Sequence, residues 1–279
     1  MKPLISYYGG KQKMVKHLLP LIPAHRIYIE PFAGGASLFF AKENPSSLTD
    51  SKYIEVLNDT NQDLINLYKV AKSRTEEFLR ELDLIPYSEY LYRQAKENKN
   101  DLCELKCAVN FFLRIMMSYS YQLDNGFAFS KNFSSSSRHY FSYNNYVVRL
   151  NKCVKRLSNV YIFDRDAINI IDNYDAQESF FYCDPPYPDT DQGHYSGYTQ
   201  KDFKNLIEKL LNIKGSFMLS CYENDAVPKD WEKFEFKTKN YSQNTNNGGS
   251  RPGRVECVWR KLSDYAKENQ MSQMKMEFE

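Results

Sequence analysis

The chain has 279 residues, of which 42% are hydrophobic and 26% are charged. A prior of roughly 150 residues per domain allows one large domain or two small ones. This composition excludes a disordered, collagen-like or disulfide-stapled protein. Lysine and arginine number 37 against 35 aspartate and glutamate residues, so the net charge of +2 does not announce a nucleic-acid partner, and any basic surface must be local. Aromatic residues make up 15% of the chain, an excess that calls for an explanation.

The amino terminus and the cysteines predict a cytoplasmic protein. The first residues lack the apolar run and small-residue cleavage site of a signal peptide, and no stretch of about 20 apolar residues exists for a membrane span. Six cysteines form no Cys-x-x-Cys pair and have no nearby histidine at metal spacing. We therefore expect reduced core cysteines, no metal site and no membrane partner.

The chain opens with alternating strands and helices. The segment 26–31 is predicted to be a buried strand, and a glycine turn leads from it into a helix at 36–43. A second strand near 54–57 ends at Asn58-Asp59, and a helix begins near Asn61. Strands that alternate with helices in this way favour a parallel sheet.

The middle of the chain has a different character. It is helical from about 75 to 120, and 118–146 is rich in serine, tyrosine and asparagine, with a hairpin-type turn signal at Asp124-Asn125-Gly126. The α/β pattern then returns, with predicted strands at 160–163, 179–183 and 216–220, helices at 166–172 and 200–212, and an antiparallel pair near 233–239 and 255–260. One domain is therefore predicted to be inserted into another: a catalytic domain at 1–62 and 159–263, a recognition domain at 63–158, and a flexible tail at 264–279.

The most specific motif is Asp184-Pro185-Pro186-Tyr187, which directly follows a predicted strand. Ligands of open α/β sheets bind outside the carboxyl ends of the strands. An exocyclic amine on adenine is a poor nucleophile, and a carboxylate and a backbone carbonyl that accept its two N–H bonds free its lone pair. Asp184 and the Pro185 carbonyl suit that task, Pro186 stiffens the loop, and Tyr187 offers a face for an extruded base. The alternative is a proline-rich turn that merely ends a strand.

A looser glycine turn follows the first strand, in Phe32-Ala33-Gly34-Gly35-Ala36-Ser37. It is not the G-x-G-x-x-G fingerprint that seats a pyrophosphate, and it suits a cofactor without phosphates such as S-adenosylmethionine. Asp59 lies 25 residues beyond Gly34, near the spacing at which an acidic residue binds ribose hydroxyls. Lys11, in Tyr7-Tyr8-Gly9-Gly10-Lys11, is placed to pair with the carboxylate of the cofactor. Taken singly, each feature is as well explained by an ordinary turn, a helix cap or a surface terminus.

In this order the motifs resemble the Dam-like family of DNA adenine-N6 methyltransferases. The resemblance covers roughly residues 4–262 and rests on the segments 7–11, 30–37, 58–64 and 184–188. It implies a Rossmann-like, S-adenosylmethionine-dependent methyltransferase sheet with an inserted, mainly helical target-recognition domain. The implied cofactor residues are Tyr7, Lys11, Phe32, Gly34, Gly35, Asp59, Asp166 and Asp184, with Asp164 close enough to compete with Asp166 for the cofactor adenine.

The recognition region matches the family least. Relatives carry an Asn-Arg and an Asn-Gly-Leu-Tyr/Cys-Arg stretch around a DNA-probing hairpin, where this chain has Leu113-Arg114-Ile115-Met116 and Ser118-Tyr119-Ser120-Tyr121-Gln122-Leu123. No target sequence can be carried over, and GATC specificity is not supported. A companion restriction endonuclease and the oligomeric state are likewise not inferable.

Local charge supports a DNA partner independently. Residues 131–163 carry six basic and no acidic side chains, and residues 237–261 carry six basic side chains against one glutamate. Such stretches suit phosphate contacts, although a solvated helix face is the alternative. The serine-rich run 133–137 and the segment 244–249 are expected to be loops that order on DNA. The predicted DNA-binding residues are Arg114, Tyr119, Lys131, Arg138, Lys152 and Lys155.

The sequence therefore predicts an enzyme that transfers a methyl group from S-adenosylmethionine to N6 of a flipped adenine in duplex DNA, leaving S-adenosylhomocysteine, without a metal. Two alternatives stay open at this point. One is the same chemistry on cytosine N4 or on RNA adenine, and the other is a silent DNA-binding protein on a methyltransferase scaffold.

Overall fold

A computed structural model describes most of the chain: residues 1–7, 9–43, 53–97, 103–123, 125–129, 133–188, 197–237 and 255–277. Within these ranges, the side chains of 133–142, 146 and 273–277 are outside the description. Every helix in the described part of the chain is too short or too polar to cross a bilayer.

A seven-stranded sheet forms the centre of the molecule, in the order β3-β2-β1-β4-β5-β7-β6. The first five strands in that order are mutually parallel, and β7 pairs antiparallel with both β5 and β6. The predicted strands are confirmed, including the antiparallel pair near the end. Their bounds are β1 Ile27–Glu30, β2 Ile54–Asn58, β3 Val160–Phe163, β4 Ser179–Cys183, β5 Ser216–Cys221, β6 Glu232–Lys237 and β7 Val255–Lys261.

Helices cover both faces of this sheet, because consecutive residues of its central strands are apolar and point to opposite sides. In β4, Phe180 and Tyr182 enter one core while Phe181 and Cys183 enter the other. The helices are α1 Val15–Leu18, α2 Ser37–Ala41, α3 Gln62–Ser73, α4 Thr75–Asp83, α5 Glu89–Glu97, α6 Glu104–Met116, α7 Phe133–Leu157, α8 Ala167–Tyr174, α9 Gln200–Leu211 and α10 Asp264–Glu277.

The two cores draw on different parts of the chain. One contains residues of α2, α3, α4, α6 and α7, and the other contains residues of α8 and α9. Tyr28 of β1 and Phe112 of α6 belong to the same buried cluster. The helices of the segment 63–158 therefore share a continuous apolar core with one face of the sheet, and the division into two domains stays a prediction.

The turn predicted around Asn125-Gly126 closes a short antiparallel loop. Ser118 and Phe127 form an isolated antiparallel bridge, and the Tyr119 amide donates to the Gly126 carbonyl at 3.1 Å. Asp124 lies outside the described residues.

The serine-rich run 133–137 is wrongly predicted as a loop, because the backbone there forms the first turns of α7. Serine has only a modest helix penalty, and the apolar stripe of a 25-residue helix outweighs it. The segment 244–249 lies outside the described residues.

Two further expectations differ from the structure. The tail predicted to be flexible at 264–279 instead continues as α10 over Asp264–Glu277, and the buried Ser263 stabilises the start of this helix by accepting a hydrogen bond from the Ala266 amide at 3.2 Å.

Of the six free cysteines, four are buried as expected, whereas Cys103 is exposed and Cys107 half-buried. Cys103 directly precedes α6, at its N-cap, rather than lying on the apolar face of the helix.

Candidate active site

The residues singled out by the sequence meet at one edge of the sheet. Parallel strands β1 and β4 are neighbours, and the strand order reverses between them, which is where open α/β sheets form a crevice. The glycine turn follows β1, Asn58-Asp59 ends β2, and Asp184-Pro185-Pro186-Tyr187 follows β4. The predicted convergence of these motifs at the carboxyl ends of the strands is therefore observed.

Asn58 ties the ends of strands β1, β2 and β3 together. Its side chain is fully buried, and its amide nitrogen donates to the carbonyls of Pro31 at 2.9 Å and Arg165 at 2.8 Å. Its amide oxygen accepts from the Arg165 backbone N–H at 2.9 Å. These three bonds fix the loop after β1 and the loop after β3 against the end of β2, and so they set the floor of the crevice.

The glycine turn is held by Asp59. One carboxylate oxygen of Asp59 accepts from the Gly34 amide at 2.8 Å, and the other accepts from the Asn61 amide at 2.9 Å. Gly34 has φ +48°, in the left-handed region that glycine adopts readily. A Cβ on Gly35 would lie 3.0 Å from the Cβ of Tyr7, so a side chain there would require the amino-terminal segment to move by a few tenths of an ångström.

Tyr7 and Tyr68 close the same turn from the helical side. The Tyr7 hydroxyl accepts a hydrogen bond from the Asn61 side-chain amide at 3.0 Å, and the Tyr68 hydroxyl donates to the Gly34 carbonyl at 2.7 Å. Phe32 packs edge-on against Tyr198, with ring centroids 6.1 Å apart. The result is a turn bounded by backbone and aromatic side chains, with the buried Asp59 carboxylate beneath it.

A compact polar cluster lies at the loop after β4. The Lys11 ammonium is 2.7 Å from Asp184 Oδ1 and 3.5 Å from Glu256 Oε1. The Tyr187 hydroxyl donates its one proton to Glu256 Oε1, its closer partner, and lies 3.3 Å from Asp184 Oδ1. The same ammonium lies 4.9 Å from the centroid of the Tyr187 ring, within cation–π range.

Burial sets the protonation behaviour of this cluster. It raises the pKa of Asp184, and the neighbouring Lys11 ammonium offsets only part of that rise. Burial by itself lowers the pKa of Lys11, but the carboxylates of Asp184 and Glu256 outweigh it and leave the pKa raised. The pKa of Tyr187 is raised well above its ordinary value, so its hydroxyl stays a donor.

An open cleft lies beside the Asp184–Tyr187 loop. Tyr222, just after β5, packs edge-on against Tyr187 with ring centroids 4.7 Å apart. The residues that line the cleft include Tyr187, Pro188, Tyr222, Asn224 and Asp225. The end of β5 therefore lies beside the Asp-Pro-Pro-Tyr loop.

Other predicted site residues occupy different environments. Asp166 is exposed and caps α8, where its carboxylate accepts from the Ile168 amide at 2.9 Å. Asp164 is exposed at the same strand end. Lys11 donates to Asp184, Glu256 and the Gly9 carbonyl, and its pairing with a cofactor carboxylate stays a prediction.

The predicted DNA-binding residues divide into buried, exposed and undescribed positions. Arg114 is buried on α6, with Asp63 4.0 Å away, whereas Lys152 and Lys155 are exposed on α7. The exposed Tyr119 donates its hydroxyl to the Phe129 carbonyl at 2.6 Å. Lys131 lies outside the described residues, as does the side chain of Arg138.

The basic stretch 131–163 is less exposed than its count of charges indicates. Arg156 is buried, forms a bidentate ion pair with Glu55, with one N–O distance of 2.7 Å, and lies over the Phe39 ring at 3.8 Å. The prediction that Arg156 belongs to a DNA-facing basic surface is therefore wrong, because the buried carboxylate of Glu55 pairs with its guanidinium, whereas Lys152 and Lys155 are exposed.

Two residues of the site, Asn58 and Glu256, were not predicted from the sequence. Asn58 was read only as part of a motif, because its hydrogen-bond partners are 27 and 107 residues away along the chain. Glu256 was counted as a charge that reduces a basic stretch, and the antiparallel insertion of β7 beside β5 brings it to the site. A glutamate between apolar residues of a predicted strand was the available signal.

Strand order and site together define the class of the protein. A mostly parallel sheet with a glycine turn after β1 and Asp-Pro-Pro-Tyr after β4 is the arrangement of a methyltransferase that acts on amino groups. The chain belongs to the D12 class N6 adenine-specific DNA methyltransferases, since the profile of that family matches residues 7–245.

Individual relatives agree with the family. The chain is 28% identical to the type II methyltransferase M.MjaIII of Methanocaldococcus jannaschii, over 85% of this chain and 90% of that protein. It is 25% identical to the type II methyltransferase M.CviBI of Paramecium bursaria Chlorella virus NC1A, over 85% and 92%. It is also 25% identical to the DNA adenine methylase of Salmonella typhi, over 82% and 84%. The enzyme is therefore an adenine-specific DNA methyltransferase, and the alternatives of cytosine N4, RNA adenine and a silent scaffold are not supported.

Proposed function

We propose that the crevice between the glycine turn and the Asp184–Tyr187 loop binds S-adenosylmethionine and a flipped adenine side by side. The observation that carries the proposal is the meeting of Asp59, Gly34 and Asp184 at adjacent strand ends, which provides a nucleoside cradle next to an amine acceptor. A bound S-adenosylmethionine supplies an electrophilic methyl carbon on a sulfonium. Asp59 is proposed to bind the ribose hydroxyls, and Tyr7, Phe32, Gly34 and Gly35 to form the walls of the cradle.

The chemistry proposed for the protein side is amine orientation. Asp184 and the Pro185 carbonyl accept the two N–H bonds of the adenine N6 group, so the lone pair of the nitrogen points at the methyl carbon. As N6 takes the methyl group, the sulfur would keep the electrons of the broken carbon–sulfur bond and N6 would gain positive charge, which the Asp184 carboxylate stabilises until the extra N6 proton passes to water. Pro186 fixes the loop, and Tyr187 stacks on the base that has left the duplex.

DNA is proposed to lie along the helical segment 63–158. The exposed Lys152 and Lys155 of α7 suit phosphate contacts, and the loop that carries Tyr119 is an aromatic element suited to contacts with bases. Lys131 and Arg138 are proposed as further contacts on the strength of the sequence alone. Because genomic DNA is the substrate, we propose the cytoplasm of a bacterial or phage-infected cell as the compartment.

Methylation of DNA in vitro tests the proposal directly. The protein, S-adenosylmethionine and adenine-unmethylated genomic DNA are incubated, and the nucleosides are analysed by mass spectrometry. We expect N6-methyldeoxyadenosine and S-adenosylhomocysteine in equal amounts, in a reaction that survives chelation of metals. Sequencing of methylated positions then gives the recognition motif. Formation of N4-methylcytosine alone would contradict the proposal.

A further inference from the structure

Glu256 is a buried carboxylate that the adenine chemistry described above does not use. It lies on β7, which is distant in sequence from the motifs of the site, and only 7% of the residue is exposed. A buried carboxylate is unfavourable unless it is paired. Glu256 has two such pairings, since its Oε1 accepts from the Tyr187 hydroxyl and is 3.5 Å from the Lys11 ammonium.

The Lys11 ammonium contacts the carboxylate that is proposed above to accept the substrate amine. It is 2.7 Å from Asp184 Oδ1, the carboxylate to which the adenine N6 group has to donate. An ammonium has three N–H donors, and Lys11 directs them to three acceptors: Asp184, Glu256 and the Gly9 carbonyl at 3.3 Å. When the adenine amine takes Asp184, the other two acceptors remain for the ammonium.

We propose that Glu256 is a positioning residue that holds the Lys11 ammonium and so leaves the Asp184 carboxylate available to the amine of the target adenine. This inference rests on the proposed role of Asp184 as the amine acceptor. Without Glu256, Asp184 is the single carboxylate partner of Lys11, and the amine must compete with a full positive charge for the same oxygen. With Glu256, two carboxylates face one ammonium, and the cluster keeps one net negative charge as N6 becomes positive.

The test compares the affinity of the enzyme for two duplexes without cofactor. Both carry the recognition motif found by methylation sequencing, one with adenine and one with purine at the target position. Purine lacks the N6 amine, so the ratio of the two dissociation constants reports the hydrogen bond to Asp184. Any difference in the ease of base opening is the same for all variants and cancels between them. The single-turnover methylation rate is measured in parallel on the adenine duplex.

Four variants make the comparison specific. Glu256→Gln keeps the shape and loses the charge, and Glu256→Asp keeps the charge. Glu256→Gln combined with Lys11→Met removes both charges and returns the cluster to one net negative charge. Glu235→Gln is the matched control, because Glu235 lies on the adjacent strand β6 with an exposed side chain that pairs with Lys233.

We expect the wild type and Glu235→Gln to prefer adenine over purine about tenfold more than Asp184→Ala does. Glu256→Gln should lower this preference toward that of Asp184→Ala and slow single turnover by about tenfold or more. The double variant should regain the preference, and Glu256→Asp should retain most of it, even if Glu256→Gln folds poorly. A full preference in Glu256→Gln, no recovery in the double variant, or equal losses in Glu256→Asp and Glu256→Gln would overturn the inference. An adenine preference that is no higher in the wild type than in Asp184→Ala would instead overturn the role of Asp184.

Discussion

Replacement of Asn58 tests how the fold builds the crevice. Asn58→Ala removes three hydrogen bonds from a fully buried position and leaves the Pro31 carbonyl and both backbone groups of Arg165 without this partner. A buried polar group left unsatisfied costs about 1–3 kcal/mol. Arg165 is exposed, so water can reach its backbone groups more readily than the Pro31 carbonyl. We therefore expect a loss of about 3–5 kcal/mol in the free energy of unfolding.

Asn58→Asp is the sharper companion variant. It keeps the size of the side chain but turns a carboxylate oxygen toward the two carbonyl oxygens that the amide nitrogen contacts. The destabilisation should be larger at pH 8 than at pH 5, because a protonated carboxyl can still donate one hydrogen bond. Asn66→Ala is the control, since Asn66 makes an exposed hydrogen bond at 2.9 Å to the Glu104 carbonyl, and it should cost less than about 1 kcal/mol.

Urea unfolding measures the stability, and calorimetry with S-adenosylmethionine measures the consequence for the crevice. Because Asn58 fixes the loop that contains Pro31, we expect Asn58→Ala to weaken cofactor binding about tenfold under conditions where the variant is folded. A stability change below about 1 kcal/mol in Asn58→Ala, or equal stability of Asn58→Asp at pH 5 and pH 8, would refute this reasoning.

Three further predictions concern catalysis, DNA binding and pH. Asp184→Ala should lower kcat by more than about a hundredfold. Its DNA affinity, measured by fluorescence anisotropy, should stay within a few-fold of the wild type, because phosphate contacts supply most non-specific affinity. Substantial turnover by this variant would remove Asp184 from the mechanism. The double variant Lys152→Ala with Lys155→Ala should bind DNA of every sequence more weakly. The slope of log DNA affinity against log salt concentration should become shallower by about 2. An unchanged slope would place these lysines away from DNA. Burial raises the pKa of Glu30 to about 8, above its ordinary value of 4.5. The protonated Glu30 carboxyl therefore contributes fully to the free energy of unfolding below about pH 4.5, and this contribution is lost as the pH rises toward 8. Glu30→Gln cannot ionise and should flatten this part of the unfolding profile, and a profile parallel to the wild type would contradict the shift.

Much of the site was predictable because its residues lie next to strand ends. Asp184 directly follows the four apolar residues 180–183, and Gly34 and Asp59 each come shortly after a predicted strand, so the strand pattern placed them at one edge of a parallel sheet. Arg156 shows the opposite case. Its position in a basic stretch predicted exposure, but the path of α7 over the sheet brings it to Glu55, 101 residues away, and the pair is buried.

By itself, the sequence determined the elements of the sheet, the order of the motifs and the residues proposed to carry the amine chemistry, because strand and turn signals are local and each motif is continuous. The tertiary structure alone decided which side chains complete the cluster. Glu256 reaches Lys11 and Tyr187 because β7 inserts antiparallel beside β5, and Asn58 joins three strand ends because β2 lies between β1 and β3. Strand order depends on the packing of the whole chain, so neither contact could be read from residues that are neighbours in sequence.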